Sequence, residues 1–177
     1  HQNLQGTNIT IPQYLKDKNI LTGIKVDTGA KMLANHNNEK ITEGLDGLRN
    51  RLKLYKEKGA DFAKWRAVIT IGENTPSNAC IQSNAHSLAR YASLCQENEL
   101  VPIVEPEVLM EGSHTIQKCY DVTNRTLKCV FKELELLKVD LESIILKPNM
   151  VLPASNSNQN IDDKQIAEMT FDVLKRN

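Results

Sequence analysis

Charged residues recur in this sequence at the ends of short apolar runs. "GIKVD" carries Lys25 and Asp27, "FAKWRAVITI" carries Lys64 and Arg66, "VPIVEPE" carries Glu105 and Glu107, and "ESIILKPNM" ends its run at Lys147. Such a set could perform imine chemistry. A primary amine with positive charge beside it is partly deprotonated near neutral pH and can attack a carbonyl. A carboxylate within reach moves protons as the carbinolamine loses water. Surplus cations hold phosphate groups. In this scheme Lys147 is the nucleophile, Lys64 and Arg66 supply positive charge, and Glu105 transfers protons.

Each residue also has a plain reading. Lys147 could pack its stem and keep its ammonium in water. Lys64 or Arg66 could be a structural ion-pair partner of Glu105 or Glu107 on a neighbouring strand, since ion-pair networks form without catalysis. Lys25 and Asp27 could be a simple pair at a strand end, Trp65 packing, and His36 a solvated loop histidine. The combination weighs more than any member, because burying several charges together costs several kcal/mol per ion unless they satisfy one another.

The elements that must position these residues alternate along the chain. A short helix in "TIPQYLKDKN" precedes a first strand, Leu21 to Asp27. The stretch "TGAKMLANHNNEK" reads as a loop before a helix in "TEGLDGLRNRLKLYKEKG", with Thr42 as N-cap and Leu45, Leu48, Leu52 and Tyr55 facing inward. A second strand, Phe62 to Ile71, leads to a helix from Thr75 and Pro76 that aligns Ile81, Ala85, Leu88, Ala92 and Cys95. A third strand, Val101 to Glu107, leads to a helix from about Ser113 through "FKELELL". The run Ser143 to Leu146 reads as a fourth, buried strand, "ASNSNQN" as a polar loop, and "DKQIAEMTFDVLKRN" as a last helix.

Strict alternation predicts a parallel sheet with right-handed crossovers, all carboxyl ends at one edge. Side chains alternate across a strand, so Lys64 and Arg66 share one face while Trp65, Ala67 and Ile69 share the other. Lys25, Lys64, Glu105 and Lys147 lie 39, 41 and 42 residues apart, as one βα unit repeated four times would place them. A (β/α)8 barrel takes eight strands and typically about 250 residues, so the expectation is a single α/β-barrel domain over residues 1–177 holding about four central βα units. The barrel's first two and last two strands are then expected to be missing, leaving two open sheet edges.

Equal numbers of basic and acidic residues, 22 each, leave no electrostatic footprint for nucleic acid or an anionic membrane. Nothing resembles a signal peptide or a membrane span of about 20 apolar residues. The four cysteines lie inside helical patterns without metal spacing, as small core hydrophobes in a reducing compartment. The sequons at Asn8 and Asn124 mean nothing without secretion. These features place the chain in the cytoplasm. No Walker or Rossmann glycine pattern and no metal-ligand spacing is present, so neither a metal nor a cofactor is expected.

The strings "GIKVDTG", "EGLDGLRNRL", "GADFAKWRAVITIGENTPS", "ARYASLCQENELVPIVEPEVL" and "ILKPNMV", in that order, closely resemble the class I (Schiff-base) fructose-1,6-bisphosphate aldolases from about Gly23 onward. The resemblance implies reversible cleavage of fructose 1,6-bisphosphate into dihydroxyacetone phosphate and glyceraldehyde 3-phosphate, in glycolysis and gluconeogenesis. It implies sugar bisphosphate and triose phosphate substrates and a homotetramer. By position, Lys147 looks like the imine-forming lysine and Glu105 like the proton-transfer carboxylate. Glu107 and Lys64 look like its assistants at the carbinolamine stage, and Lys25 and Arg66 like substrate-binding cations near a phosphate.

The chain also departs from the family pattern. The first-strand aspartate beside the imine lysine, the Ser/Gly-rich phosphate loop, the arginine on the last strand's loop and the tyrosine-bearing tail have no counterpart. Thr28 stands where animal enzymes tend to carry lysine, and "ANHNNEK" replaces a glycine-containing stretch; both resemble the bacterial branch. Two alternatives stand beside the aldolase reading: a non-catalytic half-barrel interaction module derived from an aldolase, and a lysine-dependent aldolase with another acceptor.

Overall fold

The computed structural model describes residues 3–177. Its centre is a four-stranded parallel sheet in the order β1 (Gly23–Lys25), β4 (Phe62–Ile69), β5 (Val101–Val108), β6 (Ile145–Leu146). The two inner strands are full length because alternate residues suit different surroundings. In β4, Ala63, Trp65, Ala67 and Ile69 are buried against helices while Lys64 and Arg66 face the other way, as parity requires. β4 and β5 pair through all eight residues, from Phe62 beside Val101 to Ile69 beside Val108.

Helices α2 (Leu48–Glu57), α3 (Asn78–Glu97), α4 (Ile116–Leu136) and α5 (Asp163–Lys175) supply the outer layer, and a short α1 (Ile11–Lys16) precedes β1. The inward stripe of α3 is the expected one: Ile81, Ala85, Leu88, Ala92 and Cys95 are all buried. Trp65 stacks on Tyr91 of α3 with ring centroids 5.5 Å apart, so its role is packing. One core joins Trp65, Tyr91, Leu48, Leu52 and Leu134 behind the sheet. A second gathers Ile69, Val108, Cys119, Val122, Val151 and Val173 near the strands' carboxyl ends. Cys80, Cys95 and Cys119 are buried and Cys129 is half-buried, all as free thiols.

Several expectations change. The stretch after β1 is a β-hairpin rather than a loop: β2 (Gly29–Met32) pairs antiparallel with β3 (Lys40–Glu43), and Asn35 and Asn38 take the left-handed conformation in its turn. Thr42 therefore caps no helix; it lies in β3, its hydroxyl donating to the Arg66 carbonyl at 2.7 Å, and α2 begins later, after Gly47. Ser77, not Thr75, caps α3, since its Oγ accepts the Cys80 N–H at 3.1 Å. Helix α4 likewise starts past Ser113, with Thr115 as cap.

The fourth strand is also shorter and wetter than its apolar run implies. Leu141–Ser143 forms a 3₁₀ turn, only Ile145 and Leu146 join the ladder, and Ile145 is 49% exposed. Residues Ile103 and Val104 of β5 are their partners, and nothing pairs with the far side of β6 among the described residues.

Candidate active site

The site is built outward from β5. Glu105 stands near the middle of a strand paired on both sides, and its residue exposure is only 2%. A carboxylate so buried needs cations, and two strands supply them. Lys147 follows β6 directly; its backbone N–H donates to the Val104 carbonyl at 2.8 Å, which sets its side chain level with Glu105. Its Nζ donates to Glu105 Oε1 at 2.5 Å. Lys64 on β4 brings its Nζ to 2.8 Å from Oε2, so a single carboxylate lies between two amines.

The cross-strand pairing is diagonal. Lys64 lies beside Ile103 and Arg66 beside Glu105 in the ladder, yet Lys64 pairs with Glu105 and Arg66 with Glu107, in each case two residues further along β5. Long side chains lean along the strand, which carries each cation towards the carboxyl end. Arg66 Nε donates to Glu107 Oε2, and that hydrogen bond raises the guanidinium further above its ordinary value. The structural ion-pair reading of Lys64 and Arg66 therefore describes a real feature of the resting site.

Burial pushes the Glu105 carboxyl upward, but the contacts from Lys147 and Lys64 outweigh it and hold the group below the usual carboxylate range. Glu105 is thus a carboxylate at neutral pH, able to accept a proton. Lys147 is the more open partner, with 58% of its side chain exposed. The burial falls on the carboxylate rather than on the lysine, because β6 is an edge strand while β5 is interior.

Lys25 and Asp27 form the outer pair, Nζ to Oδ1 at 2.5 Å. Asp27 does more than neutralise Lys25: it also accepts the Gly29 N–H at 3.0 Å and the Arg66 N–H at 3.3 Å, joining the start of the hairpin to β4. The hairpin is stapled further by residues with no chemical signature in the sequence. Asn84 of α3 accepts the Thr42 N–H at 3.1 Å and donates to the Lys40 carbonyl at 2.8 Å, and buried Glu39 accepts the Ser77 N–H at 2.7 Å. His36 sits in the hairpin turn with Nδ1 2.9 Å from the Ala34 carbonyl, a local contact. Lys25 ends β1 and Lys147 directly follows β6, while Lys64, Arg66, Glu105 and Glu107 sit within β4 and β5 on one face of the sheet, and the set meets through its side chains.

The whole of residues 1–177 matches the family model for the glycolytic class I fructose-bisphosphate aldolases. The chain belongs to that family. A probable class 1 fructose-bisphosphate aldolase of Xanthomonas campestris is 52% identical over 173 residues, which are 97% of this chain and 52% of the relative. The cytosolic fructose-bisphosphate aldolase 6 of Arabidopsis thaliana is 55% identical over 92% of this chain and 45% of its own length. A solved aldolase structure from Plasmodium falciparum, in complex with TRAP and a small-molecule inhibitor, superposes with a TM-score of 0.95 at 42% identity. That match covers 99% of this chain and 51% of the other. The sheet is accordingly part of an α/β barrel of the aldolase kind, and the chain spans about half the length of the curated relatives it matches.

Among the described residues no helix is long and apolar enough to cross a membrane, and no three His, Cys, Asp or Glu side chains cluster as a metal site would need.

Proposed function

We propose that this chain carries the imine-forming centre of a class I fructose-bisphosphate aldolase, which reversibly cleaves fructose 1,6-bisphosphate through a Schiff base on Lys147. The observation that supports it most is the buried Glu105 carboxylate held between the amines of Lys147 and Lys64. Lys147 gives up a proton to Glu105, and its lone pair attacks the C2 carbonyl of the open-chain ketose. The carbinolamine hydroxyl leaves as water, taking a proton from Glu105 or Lys64, and an iminium forms. Glu105, a carboxylate again once the departing water has taken its proton, accepts the C4 hydroxyl proton as the C3–C4 bond breaks. Its electron pair flows into the iminium as an enamine, and glyceraldehyde 3-phosphate departs. Protonation at C3 and hydrolysis of the imine release dihydroxyacetone phosphate and restore the amine.

Lys25 and Arg66, each partly exposed, are the cations for phosphate. Glu107 holds Arg66 in the resting site and assists at the carbinolamine stage when substrate displaces it. A homotetramer in the cytoplasm is the assembly and setting that go with this function, and sedimentation of the purified full-length protein tests the former. Borohydride reduction in the presence of dihydroxyacetone phosphate is expected to leave one triose phosphate covalently attached at Lys147, read by peptide mass. A full-length protein that cleaves the substrate with no adduct on Lys147 refutes the proposal.

A further inference from the structure

Lys147 hangs on the weakest ladder in the sheet. β6 contributes two residues, and the residue after Lys147 is Pro148, which has no N–H to carry the ladder onward. On its amino side Lys147 is fixed by its N–H to the Val104 carbonyl. On its carboxyl side the main chain offers β5 no ladder bond. Asn149 fills the gap with its side chain. Its Oδ1 accepts the Val108 N–H at 3.1 Å, standing in for a main-chain carbonyl, and its Nδ2 donates to Thr123 Oγ1 at 3.0 Å and to the Met150 carbonyl at 2.9 Å. Val108 and Thr123 are 3% and 1% exposed, so both anchors are set in the interior, one on β5 and one on α4.

We propose that Asn149 is a positioning residue for Lys147: its amide clamps the segment after the lysine to β5 and α4, and so fixes the amine against Glu105. This rests on the reading of Lys147 as the imine-forming amine. The lysine's stem is flexible and more than half exposed, so its reach to both Glu105 and a bound carbonyl depends on where its Cα stands. A misplacement of about 1 Å at a reacting group can cost on the order of 100-fold in rate. Pro148, the single residue between lysine and clamp, restricts the lysine's own backbone to extended conformations.

The test is the rate of borohydride trapping at saturating dihydroxyacetone phosphate in the full-length protein, with hydrogen exchange at the Val108 amide as a readout independent of chemistry. Asn149→Ala is expected to slow trapping about 10- to 100-fold with KM little changed, and to speed Val108 exchange. Asn149→Asp is expected to restore most of the rate, because a carboxylate still accepts from Val108 and the Thr123 hydroxyl can donate where it now accepts. Trapping at the unaltered rate in the alanine variant, or an aspartate variant as slow as the alanine one, overturns the proposal. Should the alanine variant fail to fold, Thr123→Val severs only the α4 anchor and is expected to slow trapping by a smaller factor; an unchanged rate there is equally fatal. A native protein that forms no adduct on Lys147 sinks the imine reading instead, and unchanged Val108 exchange in Asn149→Ala sinks the clamp by itself.

Discussion

Replacing Glu105 by glutamine keeps the shape of the side chain and removes the charge on which Lys147 and Lys64 converge. Two effects follow, of different size. The contact with Lys147 is discounted to about 1 kcal/mol, since that side chain is 58% exposed and water screens the pair. The contact with Lys64, at 33% exposure, contributes about 1–2 kcal/mol as a charge-assisted pair. The amide escapes the desolvation that burdens a buried carboxylate, so the net loss of stability at neutral pH is about 1–2 kcal/mol, measured by urea unfolding. The pH dependence fixes its origin. Glu105 is held below its ordinary value, so its contribution is fully present above the unfolded carboxyl pKa of about 4.3 and fades as pH falls through the lower folded value. The difference between native and variant should therefore be flat at neutral pH and shrink below about pH 4. Activity falls further, by about 100- to 10,000-fold in kcat, because a proton acceptor positioned at the amine is lost. Equal kcat within about threefold, or a stability difference that does not shrink in acid, would refute the assignment of Glu105 as the shared carboxylate of the two lysines.

Two further outcomes test the surroundings of the site. Asn84→Ala leaves the Thr42 N–H and Lys40 carbonyl without their partner beside α3, at a cost of about 1–3 kcal/mol, and should speed hydrogen exchange along β3 while raising KM more than it lowers kcat; exchange unchanged at Thr42 contradicts the hairpin staple. Burial pushes the Cys95 thiol up to about 12 and the Cys80 thiol up to about 11, so a disulfide reagent at pH 8 should modify at most the half-buried Cys129 until denaturant is added; fast labelling of Cys80 or Cys95 in the native protein contradicts the packing described for α3.

The parity of β4 and β5 was legible because it needs only the alternation of a strand: "AKWRAVI" and "VEPE" announce which side chains share a face before any partner is known. The ladder that sets Glu105 between Lys64 and Lys147 follows once the strands are read as consecutive and parallel. The hairpin was not legible. Its strands show almost no burial, so no apolar alternation marks them, and the asparagines of its turn were the one available signal. Asn84 and Asn149 left no trace either. Each acts on a main-chain group 41 or more residues distant, and an amide that completes a ladder looks in sequence like any polar residue beside a proline or within a helix. The exposure of Lys147 agrees with its plain reading, an ammonium kept in water; what the apolar run before it hides is that Ile145 lies at a sheet edge rather than in an interior strand.

That last difference bears on the chemistry. Had the lysine been the buried member, substrate would have to reach an interior amine, and its ammonium form would carry the whole desolvation cost. Here the buried and rigid member is the carboxylate, fixed mid-strand between two paired neighbours, while the amines approach from flanking strands on flexible stems. On the imine proposal, proton acceptor and nucleophile are thereby placed on elements of different stiffness. In the proposed reaction Glu105 stays in place while Lys147 exchanges an ion pair for a covalent bond to substrate. Lys64, left on the same carboxylate, then keeps a positive charge beside it, so Glu105 is not stranded as an unpaired buried anion when the first lysine becomes an imine. At the carbinolamine Glu105 holds the proton given up by Lys147 and is neutral; when it passes that proton to the departing water it becomes a buried carboxylate again, and Lys64, 2.8 Å away, is the cation that stays beside it, which is the physical reason for reading Lys64 as part of the reaction rather than as a structural pair alone.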